Sequence, residues 1–274
     1  MSAETHRVAV VQAASVVLDG PASVERACEL IRRAGAAGAE LVALPEGFVP
    51  LMPRPCWGHR YSETMNPAAA ELHRRLWENA VDLGGPLAAR LAGAAGAWVA
   101  IGTNERDDRR PGTLWNTLLW LSPEADLDPV VTPLGRLGGL ICWEAFMPMA
   151  RRCLHLAGTD VLVIPTADER DVWLAAMRAF AFEAGAYVLS PIQRLHRADV
   201  PADFPLAGAL AECPEVLMAG GSVIVDPFGE VVAGPARGRE EILYAELDPG
   251  RILAARRVLD TAGHYDRPDR EGAR

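Results

Sequence analysis

Lysine is absent from this chain of 274 residues, so arginine supplies all 27 of its Lys and Arg positions. A guanidinium keeps its proton in proteins and is larger than an ammonium, so any site that needs a small, proton-exchanging cation has no side chain to supply it. Aspartate and glutamate together number 36, and the formal net charge is −9. This charge balance argues against nucleic acid or an anionic membrane surface as a partner.

Long apolar runs are missing too, and cysteines are few. No stretch approaches the roughly 18 apolar residues that a membrane helix needs, and the first residues do not form an apolar signal segment, so we expect no membrane partner. The cysteines are odd in number, widely spaced and without metal-ligand spacing, which favours a reduced cytoplasmic protein with no metal or cofactor. They are Cys28, Cys56, Cys142, Cys153 and Cys213.

Half of the residues are hydrophobic, which is enough at this length to bury the core of one domain. Strand patterns alternate with helical patterns along the chain, and no repeat or linker divides it. This alternation predicts a layered α/β fold over residues 1–274, with a polar tail at 260–274. The clearest predicted strands cover 8–11, 41–44, 98–102, 114–121, 161–164 and 187–190, and the clearest predicted helices cover a segment capped by Ser23 and residues 171–184.

The segment GGLICWEAFMP, residues 138–148, places a single thiol at a structural junction. An apolar, glycine-rich strand pattern at 134–141 ends at Cys142, and a helical pattern follows. A helix N-terminus favours a thiolate, so Cys142 is predicted to be the most reactive of the five thiols near neutral pH. Backbone N–H groups in such a turn can also face an oxyanion. The alternative is a small apolar core cysteine.

A second segment, LVALPEGFVP, provides a candidate base. Its apolar strand ends at Pro45, and Glu46 follows directly. A carboxylate and a thiol at the same edge of a sheet make a base and nucleophile pair, which favours catalytic roles for Glu46 and Cys142. The alternative for Glu46 is a surface carboxylate at a strand end, although Pro45 and Phe48 suggest a lined pocket.

These segments resemble the nitrilase, or carbon-nitrogen hydrolase, superfamily, and the resemblance covers nearly the whole chain. It implies an α-β-β-α sandwich that forms a homodimer or a higher homo-oligomer. Two further segments, GGSVIVDPFGEVVAGP and GHYDRPD, are similar to the nitrilase branch in particular. The other matching segments are RVAVVQAA (7–14), NTLLWLSP (116–123), TPLGRLGGLICWE (132–144) and IPTADERDVWLAAMRAFAFEAGAYVLSPIQ (164–193).

The resemblance implies a hydrolase of carbon-nitrogen bonds other than peptide bonds, most simply a nitrilase acting on a small nitrile or amide. Cys142 would attack the substrate carbon to give a thioimidate or thioester, and Glu46 would move the protons. Glu144 could instead orient the turn or cap the helix, and a helical Trp173 could instead lie in the core. The residues predicted to contact substrate are Trp143, Glu144, Phe48 and Trp173.

The chain departs from its family at the catalytic lysine. In the family, this lysine lies between the NTLLW-like strand and the nucleophile strand, which are joined here by residues 122–133 alone. The resemblance therefore implies that a strand and its loop are missing, together with a second glutamate. Arg136 and Arg170 are the nearest candidates by sequence to replace this lysine, but a guanidinium is a poor substitute. An impaired nitrilase and a catalytically inactive binding or scaffold protein both remain open, whereas a cysteine protease is disfavoured because no local motif places a histidine base.

Overall fold

The computed structural model describes residues 4–52, 55–122 and 131–266. Its α-helices are α1 (Gly20–Ala36), α2 (Pro55–Tyr61), α3 (Pro67–Glu78), α4 (Pro86–Ala92), α5 (Pro148–Leu156), α6 (Asp171–Ala184), α7 (Ala207–Ala211) and α8 (Pro249–Val258). Its strands are β1 (His6–Gln12), β2 (Leu41–Val49), β3 (Trp98–Arg106), β4 (Leu114–Leu121), β5 (Val131–Thr132), β6 (Gly135–Gly139), β7 (Val161–Val163), β8 (Tyr187–Ser190), β9 (Arg194–His196), β10 (Val216–Ala219), β11 (Val223–Val225), β12 (Val231–Ala233) and β13 (Glu241–Leu247).

Two sheets form the centre of the molecule. The first has the strand order β13-β1-β2-β3-β4 and the second has the order β12-β11-β8-β7-β6-β5, while β9 and β10 form a separate ribbon. Strands β1, β2 and β3 run parallel to one another, as do β6, β7 and β8. One buried cluster joins Val10 and Ala43 of the first sheet to Val163 and Leu189 of the second. The two sheets therefore pack face to face.

Helices cover the outer face of each sheet. Helices α1 and α4 pack on the first sheet, where Ile31 and Leu91 join the cluster of Val42 and Val99. Helix α6 packs on the second sheet, where Met177 lies in one cluster with residues of β8 and β11. The apolar side chains of each helix thus meet the outward face of a sheet, and the predicted α-β-β-α sandwich is confirmed.

Two local features differ from what the sequence indicates. The segment 50–67 is rich in proline, which favours a loop, but it contains α2, because Trp57 is fully buried and packs edge-to-face on Phe204 at a centroid distance of 5.6 Å. Tertiary burial of a large aromatic ring outweighs the local proline signal. The N-cap of α1 is Asp19, whose side chain accepts a hydrogen bond from the Ala22 N–H at 2.9 Å, whereas Ser23 lies inside the helix.

The start of the predicted tail is held against the helices. Arg152 donates to the Thr261 carbonyl at 2.9 Å and pairs with Asp266 at 2.6 Å. The Thr261 hydroxyl donates to the Glu183 carbonyl at the end of α6 at 2.9 Å.

The described part of the chain leaves out residues 267–274. It also leaves out residues 123–130, which carry most of the short join before the nucleophile strand. Within the described ranges, none of the helices is both long enough and apolar enough to cross a membrane.

Candidate active site

The nucleophile candidate lies on a sharp turn shortly after a half-buried parallel strand. Strand β6 pairs with β7, and the chain then turns at Cys142 with a φ of +50°, which is unusual for a residue with a side chain. The Cys142 N–H donates to the Pro165 carbonyl at 2.8 Å and anchors the turn to the segment after β7. Strain of this kind is kept where the surrounding structure holds a side chain in place for chemistry.

Three donors surround the Cys142 sulfur. The Thr166 hydroxyl donates to Sγ at 3.1 Å, and the N–H groups of Ala167 and Trp143 also lower the pKa of the thiol. Burial and the neighbouring Glu46 charge outweigh them and raise this pKa to about 11. The expected stabilisation of a thiolate by a helix N-terminus was therefore wrong. The turn is a 3-10 segment, Cys142–Phe146, whose dipole is too short to offset burial.

Glu46 lies inside β2 and is almost fully enclosed, with 2% of its surface exposed. The Asn116 amide on β4 donates to Oε1 at 2.7 Å. The other oxygen, Oε2, has no hydrogen-bond partner among the described residues, although the Cys142 thiol and the Ala167 N–H are close enough to affect the carboxyl. Burial raises the pKa of Glu46, and these three neighbours oppose the rise. The structure thus brings the predicted base and nucleophile together.

The two residues after Cys142 have different surroundings. Glu144 Oε2 accepts a hydrogen bond from the Ile141 N–H at 2.8 Å, so this carboxylate closes the turn that carries the thiol. Its charge also contributes to the raised pKa of Glu46. Trp143 is 59% exposed, and its indole N–H donates to Asp168 at 3.1 Å. The Trp143 ring therefore lies at the open side of the site.

The other two predicted substrate contacts lie in the core. Phe48 is fully buried in the cluster between the first sheet and its outer helices. Trp173 is 1% exposed, and its indole N–H donates to the Ser190 hydroxyl at 2.9 Å. Phe146 packs edge-to-face on the Trp173 ring at 5.6 Å. Phe146 belongs to the turn that carries Cys142, so its contact with Trp173 stabilises this turn from the core side. Phe48 and Trp173 have no exposed surface beside the Cys142 thiol.

Neither candidate arginine occupies the position of a catalytic ammonium. Arg170 is near enough for charge interaction with Cys142, but its guanidinium forms a short ion pair with Asp168 and lies 5.6 Å from the centre of the Trp143 ring. Arg136 lies at the opposite end of β6, six residues before Cys142, which is roughly 20 Å along an extended strand.

Three candidate functional residues were not identified from the sequence. Thr166 and Ala167 follow β7, the strand beside β6, and the ends of neighbouring parallel strands meet at one edge of a sheet. That rule could have found them. Asn116 carries no such signal, because it meets Glu46 only through the antiparallel pairing of β4 with β3, in which Asn116 lies opposite Asn104.

The sequence profile of the carbon-nitrogen hydrolase family matches the chain in two parts, residues 7–130 and 123–257. A nitrilase of Bradyrhizobium diazoefficiens is 38% identical over 97% of this chain and 90% of its own length. An aliphatic nitrilase of Sinorhizobium fredii is 37% identical over 96% of this chain and 93% of its own length.

Solved structures share the fold at lower identity. A carbon-nitrogen hydrolase of Helicobacter pylori matches with a TM-score of 0.72 and 19% identity over 99% of both chains. A nitrilase-superfamily protein of Saccharomyces cerevisiae matches with a TM-score of 0.64 and 21% identity over 96% of this chain and 97% of its own. Since the family profile and the nitrilases both match nearly the whole chain, this protein belongs to the carbon-nitrogen hydrolase family of enzymes.

Proposed function

We propose that this protein hydrolyses a small nitrile to a carboxylic acid and ammonia, with Cys142 as nucleophile and Glu46 as general base. The observation that carries the proposal is the contact of the buried Glu46 carboxyl, inside β2, with the Cys142 thiol, which follows β6 of the facing sheet. The nitrilase relatives, similar over nearly their full lengths, support a nitrile rather than another carbon-nitrogen substrate.

The chemistry follows from the residue types. Glu46 removes the thiol proton while Sγ bonds to the nitrile carbon, and the proton passes to the substrate nitrogen to give a thioimidate. Water adds to that carbon and ammonia leaves, which produces a thioester. A second water, activated by Glu46, releases the acid and restores the thiol. The Thr166 hydroxyl and the N–H groups of Ala167 and Trp143 lie beside Sγ and can stabilise charge that develops there.

Turnover is proposed to be slow because no ammonium faces the developing charge. The family profile breaks at residues 123–130, where its two matches overlap. The alignment with the Bradyrhizobium nitrilase has 297 positions, more than the 274 residues of this chain, so the relative carries residues without a counterpart here. The break in the family profile supports a missing segment at this join, and the alignment length supports a longer relative. The loss of one such donor commonly lowers the rate by roughly 100- to 1000-fold.

A second candidate is a relative that binds a nitrile or an amide without hydrolysing it. The observation that favours it is the complete absence of lysine, combined with the raised pKa of the Cys142 thiol. A neutral thiol is a weak nucleophile, so a ligand could occupy the site without reacting.

Ammonia release from a panel of aliphatic and aromatic nitriles and amides tests the proposal. We expect slow release that is abolished in Cys142→Ala and retained in Cys153→Ala, since Cys153 is exposed on α5. Faster release from amides than from nitriles would contradict the nitrile assignment. No release, combined with calorimetric binding of a panel member, would favour the second candidate.

A further inference from the structure

Glu46 Oε2 is an unpaired polar atom at the centre of the candidate site. Its partner oxygen accepts from Asn116, whereas Oε2 is buried and has no hydrogen bond from any described residue. Only 2% of Glu46 is exposed. A buried carboxylate is normally paired with a cation or fully hydrogen-bonded, because desolvation disfavours its charge. The free oxygen therefore points to a missing positive partner.

The described part of the chain offers no cation that could fill this position. Lysine is absent from the sequence. Arg170 is held by two hydrogen bonds to Asp168, and Arg136 lies at the far end of β6. A guanidinium is also planar and larger than an ammonium, so it fits a narrow space between a carboxylate and a thiol poorly.

The flank of the site beside β4 is open. β4 is the last strand of its sheet, and Asn116 is exposed although its amide holds Glu46. Water therefore reaches the Asn116 side chain, which is one hydrogen bond away from the Glu46 carboxyl.

We propose that Glu46 Oε2 binds a protonated primary amine that comes from outside the chain. The amine is supplied either by the substrate itself, as an aminonitrile, or by a free alkylammonium ion. It donates N–H groups to Oε2, keeps its proton and undergoes no covalent change. Its charge faces the negative charge that develops on the substrate nitrogen during attack by Cys142.

This inference deepens the proposed function by naming the preferred substrate class, and its first test rests on that function. The matched pair is 4-aminobutyronitrile and valeronitrile, in which an ammonium replaces a methyl group of similar size. Acid production is measured by chromatography. We expect kcat/KM to be higher for the aminonitrile by about 100-fold, the low end of the effect of one such donor. Equal values for the two nitriles would overturn the inference while leaving the hydrolase proposal intact.

The second source of the amine is tested with valeronitrile alone. Methylammonium should accelerate its hydrolysis and saturate, whereas tetramethylammonium at equal ionic strength should not, because it has no N–H to donate. Equal acceleration by both ions would mean a salt effect and would contradict binding at Oε2.

A readout that needs no turnover separates this inference from the proposed function. A cation beside Glu46 and Cys142 increases the thiolate fraction, so methylammonium should raise the rate of Cys142 alkylation at pH 8 by about threefold or more. The effect should persist in Glu78→Gln, whose carboxylate is on the surface of α3, and vanish in Glu46→Gln. An absent effect, or one that survives in Glu46→Gln, would overturn the inference. If no nitrile or amide is hydrolysed, the proposed function fails, but this alkylation result still decides the inference.

Discussion

Glu46 and Cys142 carry raised pKa values for a shared physical reason. Both groups are buried, and the Glu46 charge raises the pKa of the Cys142 thiol further, whereas the nearby thiol lowers the pKa of Glu46. The surrounding N–H and O–H donors reduce the effect without reversing it. The resting site therefore favours a neutral thiol at neutral pH, and proton transfer to Glu46 has to accompany the attack on substrate.

Cys142 should be alkylated by iodoacetamide more slowly at pH 7 than the exposed Cys153. Its rate should then rise about tenfold per pH unit until the pH approaches its pKa of about 11, because the thiolate is the reacting form. Peptide mass mapping after limited labelling from pH 7 to pH 11 measures both rates. Preferential labelling of Cys142 at pH 7 would restore the expectation from sequence that it is the most reactive thiol.

Replacement of Glu46 by glutamine should lower hydrolysis by at least about 100-fold, the usual contribution of a general base. It should also stabilise the fold at pH 8. The folded pKa of Glu46 lies above its ordinary value of 4.5, so the stability that wild type has below that value is lost as the pH rises through the raised pKa. Glutamine carries no charge and avoids this loss.

Urea unfolding of both proteins at pH 4, 6 and 8 checks the stability effect. The advantage of Glu46→Gln should be largest at pH 8 and should shrink as the pH approaches 4. Glu78→Gln, which removes an exposed partner of Arg74, should change stability by less than about 1 kcal/mol at each pH. A glutamine variant that is less stable than wild type at pH 8 would show that the Glu46 charge is already compensated.

Close approach of two neighbouring strands sets the geometry of the site at the scale of the elements. Gly102 on β3 lies against the turn in β2 that carries Glu46. A Cβ atom at this glycine would lie 2.5 Å from Glu46 Cα and 2.6 Å from the Pro45 carbonyl oxygen. The base is therefore positioned by backbone contact between neighbouring strands.

Gly102→Ala should push the Glu46 backbone away from Cys142. We expect a loss of stability of about 1–3 kcal/mol from overpacking, together with a fall in kcat. Gly35→Ala is the matched control, since a Cβ at this position in α1 meets no atom within 4 Å. The control should be neutral or slightly stabilising. Unchanged kcat in a destabilised Gly102→Ala would show that the position of the Glu46 backbone does not limit the reaction.

A grafted segment should repair the proposed deficiency in the join before β6. Insertion of a family-like strand and loop, with its lysine and glutamate, between Asp126 and Val130 should raise nitrile turnover by about 100- to 1000-fold. The same graft with methionine in place of the lysine should lose that gain. Turnover of several per second in the unmodified protein, an ordinary value for enzymes, would show that another residue replaces the lysine. Substitution of Arg170 and then Arg136 would be the next measurement.

The whole molecule presents an apolar surface on the helices after the site. Met149 and Leu156 on α5 are 70% and 54% exposed, and Val172 and Phe182 on α6 are 53% and 41% exposed. Met177 and Phe180 on α6 are instead buried in the core. We therefore propose that this exposed group on α5 and α6 forms the interface of the expected homodimer.

Light scattering at micromolar concentration should therefore report a dimer. The double variant Met149→Glu and Phe182→Glu should shift the protein towards the monomer, because each carboxylate would lose water in the proposed interface. Leu253→Glu is the control, as this side chain is 60% exposed on α8. A monomeric wild type, or dissociation by the control alone, would remove the proposed interface.

The sequence pattern was sufficient to predict a layered α/β fold and most of its strands. β4 and α6 have the predicted bounds, because their hydrophobic patterns are local and lie next to clear turn residues. The turn at Cys142 and the strand around Glu46 were also recognisable, since the order of apolar strand, polar residue and helix is written in neighbouring residues. The resemblance to a family added the α-β-β-α arrangement of the layers.

Tertiary structure decided the rest, because burial and long-range contacts are not encoded by neighbouring residues. Asn116 is 70 positions from the Glu46 carboxylate that it holds, and Thr166 is 24 positions from the Cys142 sulfur. The sequence predicts that the turn lowers the pKa of the Cys142 thiol. Burial of this thiol and the neighbouring Glu46 charge raise it instead. A local pattern can place a thiol at a turn, but only the packing of two sheets determines how much water and which charges that thiol meets.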